Sequence, residues 1–335
     1  MDQPVLAEVT RGGRVESRHH GALVVTDAKG KRVLALGAVE AATFPRSAVK
    51  ALQGLPLVET GAADRAGFDA AELALACSSH SGEPVHAAAA ASMLAKLGRD
   101  VGCLECGAHW PMGEGAARQL AREGKTPSAL HNNCSGKHAG FVCLACGLGE
   151  DPAGYVGADH RVQREVRRSL EEMTGVSIDP AKGGVDGCSI PTYALPLDRL
   201  AQAFAKLGTG EGMTRTNAQA AERLRKACAR HPHMVAGSDR FDTVAMGALG
   251  ERAFVKTGAE GVHCASFPEL GLGVAIKCED GAGRAADAIM AGVILRFLKL
   301  SGNERATIEG LATKRLVNWN GIHVGDVRAT KDVTG

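Results

Sequence analysis

The sequence predicts an α+β protein, and two observations carry that expectation. Segments rich in valine and leucine with strand character stand at both ends of the chain, and the stretch between them is mostly helical in pattern. No repeat, low-complexity tract or linker rich in proline and glycine divides the 335 residues. One domain over residues 1–335 is therefore expected, with sheet-forming segments at 1–45 and 250–325 and a mostly helical region at 46–249. A chain of this length can bury a sizeable core.

Residues 4–10, 14–26 and 32–39 read as strands, and Asp27-Ala28-Lys29-Gly30 supplies the turn between the last two. Pro45 then suits the first turn of a helix, where its missing N–H is not needed. Residues 69–76 form a short helix that stops at Cys77-Ser78-Ser79-His80-Ser81-Gly82, and Glu83-Pro84 opens an alanine-rich helix to about Leu97. Helical patterns continue over 115–123, 137–146 and 158–174. The last of these sets Arg161, Arg164, Arg167 and Arg168 against Glu165, Glu171 and Glu172, which reads as a solvated, ion-paired face. Further helices are expected at 197–207 and 217–230, strands at 252–257 and 273–277, a helix at 285–300 and a last strand near 316–319.

A formal net charge of +2 gives no reason to expect a nucleic-acid or membrane partner. Met1-Asp2-Gln3-Pro4 has neither a basic start nor an apolar signal core, and residues 285–298 are interrupted by Asp287 and Arg296, so no run spans a bilayer. The expected location is cytoplasmic. The ten cysteines then read as reduced, buried or metal-binding. Cys103/Cys106 and Cys143/Cys146 are C-x-x-C pairs, but their separation exceeds the usual zinc-ribbon spacing. The second pair lies in the apolar run 139–148, which reads as core.

Chemistry concentrates first in Thr43-Phe44-Pro45-Arg46-Ser47-Ala48-Val49-Lys50. Ser47 and Lys50 stand three apart, on one face of the expected helix. A serine hydroxyl becomes a competent nucleophile when a neighbouring neutral amine takes its proton. Lys256-Thr257-Gly258 follows far downstream on an expected strand, and S-x-x-K followed by K-T-G is the ordered pair of serine β-lactamases and penicillin-binding proteins. For Lys50 to act as a base at neutral pH, its pKa must fall from about 10.4 towards roughly 7–8.

A second cluster is His131-Asn132-Asn133-Cys134-Ser135-Gly136-Lys137-His138, which runs into an apolar helix. Val185-Asp186-Gly187-Cys188-Ser189 is another polar turn. If the two loops meet, Cys134 and Cys188 can ligate a soft metal such as zinc; read on spacing alone, they are two structural cysteines in turns. Likewise the serines at 78, 79 and 81 read locally as capping residues.

Taken together, five blocks resemble those of the Rhizobium-type (class 3, "thermolabile") L-asparaginases. They are Phe44–Lys50, Ser78–Glu83, His131–His138, Val185–Ser189 and Lys256-Thr257-Gly258-Ala259-Glu260-Gly261, in order across nearly the whole chain. The resemblance implies a fold similar to serine β-lactamases, penicillin-binding proteins and glutaminases, a homodimer, and hydrolysis of L-asparagine to L-aspartate and ammonia. It implies two Ser–Lys couples, Ser47 with Lys50 and Ser79 with Lys256. It also implies a zinc ion held by Cys134, Lys137 and Cys188, with Arg46, His80, Asn133, His138, Asp186 and Glu260 supporting substrate and site. Both the capping reading of Ser79 and the structural reading of the two cysteines give way under it. Rival readings are a glutaminase, an esterase or a penicillin-recognising hydrolase using the same couples, a zinc amidohydrolase, and a non-catalytic zinc-binding scaffold.

Overall fold

The computed structural model describes residues 3–335. Its centre is an antiparallel sheet in the order Thr313–Val317, His323–Ala329, Val5–Arg11, Arg14–Asp27, Leu272–Cys278, Val262–Phe267, Phe254–Thr257, with Arg32–Leu36 also paired to the long strand. The two ends of the chain thus share one sheet, as the pattern of terminal strands predicts. Arg14–Asp27 is the seam: its first half pairs with Val5–Arg11 and its second half, Gly21 to Asp27, with Leu272–Cys278.

Every residue of Val262–Phe267 is buried, and so are Ala22 to Val25 and Gly273 to Ile276. Continuous burial without alternation means that both faces of the sheet centre are covered. The helices Leu197–Thr209 and Gly283–Phe297 pack on it. The expected helical middle is present, from Ala70–Ala76, which opens on a capping box between Asp69 and Glu72, to Arg215–Arg230. The strand Val262–Phe267, the helices Phe241–Leu249 and Gly302–Ala312, and the strand His323–Ala329 are additions to the elements expected from sequence. Among the described residues no helix is long and apolar enough to cross a membrane.

Gly273 marks the closest approach of helix to sheet. A Cβ built there lies 2.0 Å from the carbonyl oxygen of Ala201 and 2.3 Å from the amide nitrogen of Ala205, both rigid backbone atoms. Gly310, inside the helix Gly302–Ala312, has nothing within 4 Å of the same built atom. Gly273→Ala is therefore expected to destabilise the protein by about 1–3 kcal/mol through overpacking. Gly310→Ala is expected to stabilise it by about 0.5–1 kcal/mol through helix propensity. Denaturant midpoints of the two variants, moving in opposite directions, check both.

Candidate active site

Pro45 precedes a single 3-10 turn, Arg46–Val49, which passes into one α-helical turn, Lys50–Gln53. The regular helix expected here is replaced by this tighter pair because Arg46 has φ 50°, a left-handed conformation that a side chain adopts only under strain. Its guanidinium is tied to the Asp186 carboxylate, with Nε 2.6 Å from Oδ1. Ser47 and Lys50 are both buried, Lys50 almost completely. Lys50 Nζ donates to the Ser78 carbonyl at 2.5 Å and to Cys134 Sγ at 3.1 Å.

K-T-G ends the edge strand Phe254–Thr257, and Gly258 lies directly against the Ser47 turn. A Cβ there would stand 2.8 Å from the Pro45 carbonyl oxygen, so glycine is what lets the two motifs touch. Lys256 is fully buried, with Nζ 3.4 Å from Asp242 Oδ2 and donating to the Thr257 carbonyl at 2.9 Å. Burial pushes its pKa down to about 8; Asp242 holds it up and the nearby Lys50 charge pushes it down further. Burial also opposes the Asp242 charge. Lys256 together with hydrogen bonds from His263 and Thr257 outweighs that and holds the carboxyl well below its usual range.

Ser79 sits in the loop after Ala70–Ala76, where its N–H donates to the Val235 carbonyl at 2.9 Å and its Oγ accepts from Asn133 Nδ2 at 3.1 Å. The His80 N–H donates to the Asn133 carbonyl at 3.1 Å, which laces this loop to the 131–138 block. His80 Nδ1 accepts from the Gly82 N–H, so Nε2 carries the proton and donates to Ser135 Oγ at 2.9 Å. Burial, reinforced by His86 and Lys50, pushes His80 well below the ordinary histidine range and keeps it neutral. His138 is likewise held neutral by burial, and its Nδ1 lies 2.6 Å from the Tyr155 hydroxyl.

The two cysteine loops do meet. Cys134 precedes the helix Ser135–Gly147, and Cys188 lies in the hairpin turn between Gly184–Val185 and Pro191–Thr192. Lys137 Nζ donates to Cys188 Sγ at 3.1 Å. A hydrogen bond from Cys188, then Lys50 and Lys137, lower the Cys134 pKa against burial, while the same thiol-to-thiol bond raises Cys188. The buried pair therefore shares one proton, beside the amines of Lys50 and Lys137. Burial works against the Lys137 ammonium, but Cys134, Cys188 and Asp186 together raise its pKa. Among the described residues no three His, Cys, Asp or Glu side chains converge as a metal site. With Lys137 counted, two sulfurs and an amine nitrogen form a set of donor atoms that suits zinc. The amine must then lose its proton for the metal to bind.

Arg46 and Glu260 line a cleft of about 560 Å³ together with Phe44, Val185, Thr192 and Lys277. A larger hollow, about 730 Å³ between Pro84, Pro111 and Leu120, has Glu123 and Lys125 as its charged lining, and both are exposed. Of the four non-glycine residues with positive φ, Arg46, Ser189 and Glu260 lie in the sequence blocks singled out above, and Asp239 lies just before Asp242. Of the thirteen expected site residues, Arg46 and Glu260 line the cleft of about 560 Å³, and Ser47, Lys50, Cys134, Lys137, Cys188 and Lys256 are buried. Within the described residues, however, no hydrogen bond joins Ser47 to Lys50 or Ser79 to Lys256: the amines bond to Ser78, Cys134, Asp242 and Thr257 instead. Asp242, His263 and Tyr155 are additions to the expected set. Asp242 is an acidic residue in the first turn of a helix, a common capping pattern, so nothing in the local sequence marks it.

The family model described as L-asparaginase II matches residues 7–329. No curated protein matches the chain. Among solved structures, a β-lactamase from Mycobacterium bovis is 14% identical with a TM-score of 0.37, over 78% of this chain and 88% of its own. A mutant simvastatin synthase from Aspergillus terreus is 10% identical with a TM-score of 0.38, over 77% of this chain and 86% of its own.

The buried Lys256 amine ties stability to pH. Its pKa is lower in the folded chain than in the unfolded one. Between about 8 and the ordinary lysine value, the unfolded chain therefore binds a proton that the folded chain has released. The contribution of this group to stability rises with pH across that window, and the full cost of the buried charge is present below it. At pH 9, unfolding is expected to take up about 0.9 proton at this site. Calorimetry in buffers of different ionisation enthalpy should show that uptake and its loss in Lys256→Met.

Proposed function

The chain belongs to the L-asparaginase II family, and from that membership we propose that it is a Rhizobium-type L-asparaginase that hydrolyses L-asparagine to L-aspartate and ammonia by Ser–Lys chemistry. The observation that carries the reading is the seating of K-T-G against the S-x-x-K turn, with Gly258 on the Pro45 carbonyl and both lysines buried behind it. Two shielded amines beside one serine turn are a costly arrangement unless they move protons.

In this scheme Ser47 Oγ attacks the side-chain amide carbon of asparagine while its proton passes to neutral Lys50. Backbone N–H groups of the Ser47 turn stabilise the tetrahedral oxyanion. Ammonia departs after protonation through the second couple, Ser79 and Lys256, leaving a β-aspartyl ester on Ser47. Water adds to that ester, aspartate leaves, and the Ser47 hydroxyl regains its proton. Asn133 orients the Ser79 hydroxyl. Arg46, fixed by Asp186, and Glu260 present opposite charges at the cleft to the α-carboxylate and α-ammonium of the substrate. His80 and His138 stay neutral and act as hydrogen-bonding braces.

The reading includes a zinc ion held by Cys134, Lys137 and Cys188. When bound, zinc supplies a fixed positive charge that helps to orient the carboxylate and amine of the substrate. In support of this set, Lys137 Nζ donates to Cys188 Sγ, and Asp186 Oδ2 stands 3.9 Å from the same sulfur. A cytoplasmic homodimer completes the proposal.

Ser47→Ala is expected to lower ammonia release from L-asparagine by roughly a thousandfold or more, with zinc content per chain unchanged by elemental analysis. A near-normal rate in that variant rules out Ser47 as the nucleophile. Cys134→Ser with Cys188→Ser is expected to remove bound zinc while circular dichroism stays native; unchanged zinc content would exclude this ligand set. Wild-type protein that releases ammonia from glutamine and not from asparagine would move the assignment to a glutaminase, and release from neither amide would favour the scaffold reading.

A further inference from the structure

Lys256 does not stand alone. Behind it runs a row of titratable side chains that lies outside the sequence blocks above. Lys256 Nζ is 3.4 Å from Asp242 Oδ2, and both side chains are buried to within a hundredth of their surface. Asp242 is held from two sides. The Thr257 N–H reaches its two oxygens at 3.1 and 3.0 Å, and the Thr257 hydroxyl donates to Oδ1 at 2.6 Å. On the far side, His263 Nε2 lies 3.4 Å from the same Oδ1 and His263 Nδ1 lies 3.6 Å from Asp287 Oδ1. The row therefore links the edge strand of K-T-G to the neighbouring strand and to the helix Gly283–Phe297.

A buried ion pair is weak evidence for stability, because well-packed apolar residues of the same volume often do as well. A carboxylate fixed by two Thr257 donors and backed by an imidazole is instead what the placing of a partner requires. The groups facing the Lys256 amine sort by sign. Lys50, from the S-x-x-K segment, and Arg240, from the start of the Asp242 helix, oppose its charge, and Asp242 is the carboxylate that sustains it. The buried thiols of Cys228 and Cys264 lie within range on the remaining sides, both pushed towards their neutral form by their surroundings.

We propose that Asp242 is the positioning residue of the K-T-G lysine: braced by Thr257 and His263, it holds the Lys256 amine beside the Ser47 turn and governs how readily that amine takes and gives a proton. The inference rests on the Ser–Lys reading for its link to turnover, and its first test is independent of turnover. The probe is the lysine ¹³Cε resonance of the full-length protein followed through pH, assigned to Lys256 by its loss in Lys256→Arg. In the wild type it is expected to titrate near pH 8. In Asp242→Asn the midpoint should fall by one pH unit or more, because the opposing charges of Lys50 and Arg240 remain and the sustaining one is gone. Asp242→Glu, which keeps the charge, should restore the midpoint to within about half a unit.

The alkaline limb of kcat/KM for asparagine, set by the proton that Lys256 must hold for the leaving ammonia, should move with the resonance by the same amount. A side chain that merely stabilised the fold would change thermal unfolding and leave that limb in place. Equal midpoints in wild type and Asp242→Asn overturn the proposal, and so does a moved resonance beside an unmoved limb. A moved resonance in a protein whose wild type hydrolyses no amide overturns the Ser–Lys reading and leaves the role of Asp242 on the amine intact. Asp242→Asn is expected to fold, since Lys256 can shed its proton beside a neutral partner. Asp242→Ser is the second variant and should show the same downward shift.

Discussion

The site is governed by one electrostatic constraint: three lysine side chains, Lys50, Lys137 and Lys256, are buried in neighbouring positions. An ammonium group removed from water costs several kcal/mol unless it finds a partner or loses its proton. Each of the three meets that demand differently. Lys137 lies on the sulfur pair, and Lys50 bridges the Ser78 carbonyl and Cys134. Lys256 rests on Asp242 and the Thr257 carbonyl, with its pKa lowered to about 8. Much of the remaining local structure follows from supplying those partners.

The buried cluster consequently has two unlike halves. On one side, Cys134 and Cys188 share a proton beside the amines of Lys50 and Lys137. On the other, a carboxylate sustains one amine close to neutrality, a set poised for proton transfer. Lys50 belongs to both, since it touches Cys134 and its charge is felt by Lys256.

The elements that build this arrangement were unequally legible in the sequence. The first three strands and the Asp69-capped helix were plain, because alternation, turn residues and caps are local signals. Val262–Phe267 escaped because it is buried at every position and so lacks a period. Local pattern gives a regular helix at Ser47, whereas Arg46 is left-handed and tied to Asp186, a residue 140 positions away that no local signal can reveal. The sequence blocks named Cys134, Lys137 and Cys188, which lie together with Lys50. They could not name Asp242 or His263, whose importance depends wholly on which side chain lies opposite them in three dimensions.

Why S-x-x-K and K-T-G must stand at opposite parts of the chain follows from the sheet. Phe254–Thr257 is its edge strand, reached only after the chain has built the helical region and returned. The Pro45–Val49 segment packs against both that strand and its neighbour Val262–Phe267, and meets Gly258 just past the strand's end. This placement seats K-T-G against the Ser47 turn, and it works only if residue 258 has no side chain to hold the segments apart. The return of the chain to the sheet and the meeting of the two motifs are thus a single packing event, with Gly258 at the contact.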